Sequence, residues 1–178
     1  MAFEKVTEEL LAQGFRFTVA RARFRGPDGT EFERDIVHHP GAVGVLPLHD
    51  DGTITLVRQY RAALDLELLE LPAGIRDVDG EDDATTAGRE LVEEAGLEAG
   101  SIELLATFHN SPGFTDEHIS IYLATDLHEV AHDRQGIEEE AMTIERMPLS
   151  EAFALIDAGA ITDAKTLIGL AALARRST

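Results

Sequence analysis

Residues 71–97, LPAGIRDVDGEDDATTAGRELVEEAGL, decide how this chain is read. The acidic run Glu81-Asp82-Asp83 suits a helix N-terminus, and Gly96 stands where a left-handed residue would close the helix. Between them, Ala84, Ala87, Leu91, Val92 and Ala95 recur at helical spacing and supply an apolar stripe. On the other side, Glu90, Glu93 and Glu94 fall within an arc of roughly 100° at about 100° per residue. Three like charges so close, with Arg89 as the adjacent cation, are what a divalent cation would need.

A solvated acidic face is the plainer alternative, and exposed like charges at i,i+4 cost only a few tenths of a kcal/mol. Spacing separates the two. Gly74, six residues, Glu81, seven residues, then Arg89-Glu90-Leu91-x-Glu93-Glu94-x-Gly96-Leu97 form a pattern that arises by chance on the order of once per million start positions. This pattern closely resembles the Nudix box: glycine, five residues, glutamate, seven residues, Arg-Glu-aliphatic-x-Glu-Glu-x-Gly-aliphatic. The loop before Glu81 is one residue longer, with Gly80 inserted, and the helix register is intact. The flanks LELLELPAGIRDVDGE and VRQYR are similar to the ADP-ribose pyrophosphatase branch of that family, which also tends to carry the longer loop. A proline sixteen residues after the box's final glycine marks the same branch, and here it is Pro112.

The resemblance implies an α/β fold, an α/β/α sandwich of the Nudix type with a mixed sheet and a small N-terminal antiparallel β section. It implies residues 1–39 as that section, for dimerisation and ligand contact, and 40–178 as the hydrolase domain. Glu90, Glu93 and Glu94 match the metal-binding carboxylates, with the Ala73 carbonyl as a further oxygen ligand. Oxygen-only ligation of this kind suits Mg²⁺ or Mn²⁺. Arg89 would hold a glutamate, with Glu93 within reach at i+4. Glu117, ending SPGFTDE, matches the loop glutamate that family members use to activate water or complete metal binding. Glu117, Glu93 and Arg89 are thus the catalytic candidates, and Arg34 and Arg61 match arginines that contact the ligand. Arg58 is a weaker match. The branch often has tryptophan where this chain has Leu69, and with no tryptophan present adenine stacking falls to phenylalanine or an aliphatic pair. Phe15 and Phe17 could serve, although core packing is the expected use.

The implied reaction is metal-dependent hydrolysis of ADP-ribose, a nucleoside diphosphate sugar, to AMP and ribose 5-phosphate. Two alternatives stay open: the same chemistry on GDP-mannose, NADH, FAD or dinucleoside polyphosphates, and an ADP-ribose-sensing module without catalysis. Similar enzymes are homodimers.

Composition agrees with a globular enzyme. The chain has 178 residues, 44% hydrophobic, enough for one ordinary domain with a sizeable core. A net charge of -19 argues against nucleic acid or an anionic membrane as partner. An anionic substrate would then need a cation to reverse the local field. Cysteine is absent, no apolar run approaches the ~18 residues of a membrane span, and MAFEKVTEELLAQGF is acidic where a signal peptide would be basic, so a soluble cytoplasmic protein is expected.

Along the chain, strands are expected at residues 15–24, 30–38, 42–47, 53–60, 66–71, 102–107, 118–124 and 142–147. A loop at 109–117 and a turn at 138–140 interrupt them. Two helices close the chain, one capped by Ser150 and ended at Gly159, the other from about Asp163 to Arg176. The scattered histidines show no metal-ligand spacing.

Overall fold

The computed structural model describes residues 2–132, 134 and 137–176, with the side chain of Glu138 outside that description. The chain divides into two compact units. One holds the segment ending at Gly41 together with His109–His118; the other holds Ala42–Phe108 and the chain from Ile119 onward.

The first unit is an antiparallel sheet in the order β1 (Glu4–Gln13), β2 (Thr18–Arg25), β3 (Glu31–His38). The β2–β3 hairpin pairs Arg21 with Asp35, Arg23 with Glu33 and Arg25 with Glu31, placing opposite charges across the ladder. Strand β1 was not legible in the sequence. Its register shifts between Lys5 and Thr7 and between Leu10 and Ala12, so two irregularities break the alternation that identifies a strand. The expected core role of Phe15 and Phe17 is also overturned. Phe15 is 91% exposed and Phe17 is exposed as well, because both lie at the β1–β2 connection.

The second unit begins with β4 (Ala42–Pro47), β5 (Thr53–Arg61), β6 (Leu66–Glu70) and β7 (Ala73–Ile75). Helix α1 (Asp83–Ala95), β8 (Leu97–His109), β9 (His118–Glu129), the single helical turn α2 (Ile137–Glu140) and β10 (Thr143–Pro148) follow. Helices α3 (Leu149–Asp157) and α4 (Ala164–Arg176) end the chain. A four-stranded sheet runs β7-β4-β9-β8, mixed because β4 pairs parallel with β9 and antiparallel with β7. A three-stranded antiparallel sheet runs β10-β5-β6.

Strand β4 is buried on both faces, as a near-continuous apolar run requires. Val43 and Val45 join Ala87, Leu91 and Ala95 of α1 in one core cluster. Leu46 belongs to a second cluster with Ala152 of α3 and Leu170 and Leu173 of α4. Helices therefore cover both sides of sheet, the expected α/β/α sandwich with a mixed sheet. Two local readings change. Ser150 does not cap α3, whose N-cap position is Pro148 without a side-chain hydrogen bond. The acidic run at 138–140 lies in α2, a helical turn.

Candidate active site

Helix α1 starts where Asp82 accepts hydrogen bonds from the Ala84 and Thr85 N–H groups, each at 3.0 Å. It ends at Gly96, in the left-handed region at φ 63°, whose N–H reaches back to the Leu91 and Val92 carbonyls. Its apolar stripe packs on β4, and this fixes where the carboxylates point. Glu90, Glu93 and Glu94 are 7%, 9% and 3% exposed. A solvated acidic face is thereby excluded.

One cation serves most of this charge. Arg89 Nη1 donates to Glu93 Oε2 at 3.0 Å and lies 2.8 Å from Glu90 Oε1, while Nη2 reaches Glu81 Oε2 at 3.4 Å. Glu81 also accepts from the Thr86 hydroxyl at 2.8 Å, which ties the glycine loop to the first turn of the helix. Burial pushes the Glu90 carboxyl up to about 7, the neighbouring Glu93 charge adds to that, and Arg89 opposes it. Burial pushes Glu94 up to about 8, against the hydrogen bond of 2.8 Å from the Ala73 N–H. Opposite Glu90, Gly74 leaves a bare backbone; a Cβ there would overlap the carboxylate.

The donor set fits a hard divalent cation: buried carboxylates short of positive charge, beside the backbone of the Ala73–Gly74 strand. Among the described residues no three carboxylate or histidine side chains converge at coordinating positions, and Glu93 is engaged by Arg89. Arg89 Nη1 also lies against Glu90, whereas Glu94 accepts from the Ala73 N–H.

Arg61 forks onto Glu70, with Nε to Oε1 at 2.8 Å and Nη2 to Oε2 at 2.6 Å. Lys165, itself buried, bonds to Glu70 and lies 3.0 Å from Asp163. Burial alone would raise Glu70, but Arg61 and Lys165 outweigh it and hold the carboxyl below its ordinary range. Thr166 of α4 accepts from the Leu71 N–H at 2.8 Å, so α4 also anchors the strand that enters the glycine loop. Arg58 instead pairs with Glu145 at 2.6 Å.

Arg34 and Glu117 belong to the first unit. The Arg34 guanidinium lies 4.8 Å over the Phe32 ring, and Nη1 donates to the Glu33 carbonyl. Phe24 stacks on Phe32 with centroids 5.5 Å apart, and Phe3 meets Phe32 edge-on at 6.0 Å. These rings, Arg34 and Phe114 line a cavity of about 440 Å³. The Glu117 carboxylate accepts from Asn110 Nδ2 at 2.9 Å and lies 3.4 Å from His39 Nδ1.

Sequence reasoning brought out α1, Gly74, Arg61, Arg34 and Glu117. It missed Glu70, although that residue stands in the quoted LELPAG, and it missed Lys165, Asn110 and the Phe3–Phe24–Phe32 cluster. Lys165 meets Glu70 across 95 residues and Phe3 meets Phe32 across the sheet, contacts that leave no periodic trace, whereas Asn110 meets Glu117 within one loop.

Residues 38–168 match the NUDIX domain model. The chain is 39% identical over 171 residues to an ADP-ribose pyrophosphatase of Mycobacterium tuberculosis, covering 96% of this chain and 83% of that one. It is 39% identical over 140 residues to an ADP-ribose pyrophosphatase of Bacillus subtilis, covering 79% and 75%. A methanol dehydrogenase activator of Bacillus methanolicus is 40% identical over 144 residues, covering 81% and 77%. The crystal structure of an ADP compounds hydrolase superposes with a TM-score of 0.85 at 22% identity, over 99% of this chain and 94% of that one, and so shares its fold. With the match running through the box, the glycine loop and both flanking strands, the chain belongs to the NUDIX family.

Proposed function

We propose that this chain is a divalent-metal-dependent pyrophosphohydrolase that cleaves ADP-ribose to AMP and ribose 5-phosphate. The observation that carries the chemistry is the set of buried carboxylates on α1, short of positive charge and facing the bare backbone at Gly74. Support for the substrate comes from two ADP-ribose pyrophosphatases at 39% identity, against four GDP-mannose pyrophosphatases at 27–32%.

In this reading Glu90 and Glu94, joined by Glu93 and the Ala73 carbonyl, hold Mg²⁺ or Mn²⁺. When bound, the metal supplies charge neutralisation of the diphosphate and a more acidic water. Arg89 is a positioning residue: its guanidinium fixes Glu90 and Glu93 relative to each other. Glu117 orients the attacking water and takes its proton. The water oxygen forms a bond to phosphorus, the bridging P–O bond breaks, and the bridging oxygen leaves with one phosphate product. Arg61, already aimed by Glu70, and Arg34 grip the phosphates or ribose. Adenine stacks in the Phe3–Phe24–Phe32 cavity of the first unit, in place of the missing tryptophan.

Residues 1–39 act as the dimerisation section and 40–178 as the hydrolase domain. Exposed Leu10, Leu11, Phe15 and Phe17 in the first unit support a homodimer that covers them. Among the described residues no helix is long and apolar enough to cross a membrane. A cytoplasmic location accords with an intracellular nucleotide substrate.

Incubation with ADP-ribose and Mg²⁺ should release AMP, and Glu94→Gln should abolish the release. Absence of AMP together with cleavage of GDP-mannose, NADH or a dinucleoside polyphosphate would remove the substrate and keep the chemistry. Light scattering of the purified chain tests the dimer.

A further inference from the structure

The loop that carries Glu117 is tied to β3 at several points inside the first unit. Val37 N–H donates to the Phe114 carbonyl at 2.8 Å, and Asp116 N–H donates to the Val37 carbonyl at 3.2 Å. Beyond these backbone bonds, side chains fasten the loop to the end of β3: Glu117 Oε1 lies 3.4 Å from His39 Nδ1, and Asp116 makes two contacts. Asp116 Oδ2 lies 2.5 Å from His38 Nδ1, and Asp116 Oδ1 accepts the His39 N–H at 2.9 Å. Both carboxylate oxygens are thus spent on consecutive residues at the end of β3. On its far side His38 Nε2 lies 3.2 Å from Glu8 Oε1 of β1, so the tie reaches two strands of the sheet. The next residue in the chain is Glu117, whose N–H is bonded to Thr115 Oγ1 and whose carboxylate is held by Asn110.

We propose that Asp116 is a positioning residue for Glu117: by bridging His38 and the His39 N–H it fixes the loop, so that the Glu117 carboxylate is presented in one orientation with Asn110 as its clamp. The inference rests on the water-activating reading of Glu117 given above. A freely moving loop would leave that carboxylate many orientations, of which few are productive. Gly113, with nothing within 4 Å of where a Cβ would stand, and the exposed Phe114 put the loop tip at the surface, where a backbone turn on Ser111 and the bonds to Val37 complete its hold.

The test is a double-mutant cycle on the full chain with ADP-ribose and Mg²⁺. Asp116→Ala should lower kcat about 10-fold or more with KM changed less than about threefold, a fraction of what a general base contributes. Asp116→Asn keeps an acceptor for the His39 N–H and loses the ionic partner of His38, and should fall between wild type and Asp116→Ala. In a Glu117→Gln background, Asp116→Ala should lower kcat by less than about twofold further. An equal loss in both backgrounds would assign Asp116 a general structural role and overturn the proposal. So would wild-type kcat in both Asp116 variants while Glu117→Gln is impaired. Wild-type turnover in Glu117→Gln would instead overturn the reading of Glu117 itself. Should Asp116→Ala melt well below wild type, the isosteric Asn variant carries the cycle alone.

Discussion

The Glu90 carboxylate occupies the space that a side chain at Gly74 would need. Glycine is thus required here for clearance, since the backbone and the carboxylate are in contact across the candidate metal site. Gly74→Ala should therefore displace Glu90 or the loop and lower kcat/KM by about 100-fold, the scale of a 1 Å misplacement in an active site. Magnesium titration should shift to higher concentration in the same variant. Activity within threefold of wild type would show that the contact is not needed.

Buried Glu90 and Glu94, raised to about 7 and 8 from an ordinary 4.5, make the metal-free protein sensitive to alkali. Between pH 5 and 8 the folded state keeps protons that the unfolded chain has lost, so stability falls as pH rises through that window. Thermal melts in chelator should show Tm declining from pH 5.5 to 8.5. Added Mg²⁺ binds the deprotonated carboxylates, so its Tm gain should be larger at pH 8 than at pH 6. Glu94→Gln should flatten the decline, and an unchanged slope in that variant would place the titration elsewhere.

Much of α1 was legible because its determinants are local. Asp82 at the start, Gly96 at the end, the apolar stripe and the Arg89–Glu93 contact all lie within one or two turns of their partners. Strand β1 was not, because its two register shifts hide the alternation and its identity comes from pairing Glu4 with Arg25 and Gln13 with Thr18. The site divides the same way. Glu90 could be read from spacing, but Glu70 meets Lys165 across 95 residues and His38 meets Asp116 across 78. Such contacts exist once the sheet has assembled, and single-sequence patterns do not carry them.

Lys165 is a case where the long-range contact has a large energetic consequence. It is buried between Glu70 and Asp163, and removing it leaves two carboxylates with less compensation. Lys165→Met should destabilise the fold by about 3 kcal/mol, the low end for breaking a buried pair because Arg61 still holds Glu70. Urea denaturation measures it. A change below about 1 kcal/mol would mean that Arg61 alone satisfies Glu70.

The aromatic cavity gives the sharpest separation between binding and chemistry. Phe32 sits at its centre, stacked on Phe24, met edge-on by Phe3 and covered by the Arg34 guanidinium. If it receives the adenine, its ring contributes equally to ground state and transition state, because the base is remote from the reacting phosphorus. Phe32→Leu should then raise KM for ADP-ribose about fivefold or more and leave kcat within about twofold, the signature of lost uniform binding. Leucine fills most of the volume and keeps β3 apolar at that position, so the sheet should fold. Wild-type kcat and KM in both Phe32→Leu and Phe24→Leu would place the cavity outside the substrate path, and steady-state kinetics of the two variants would show which holds.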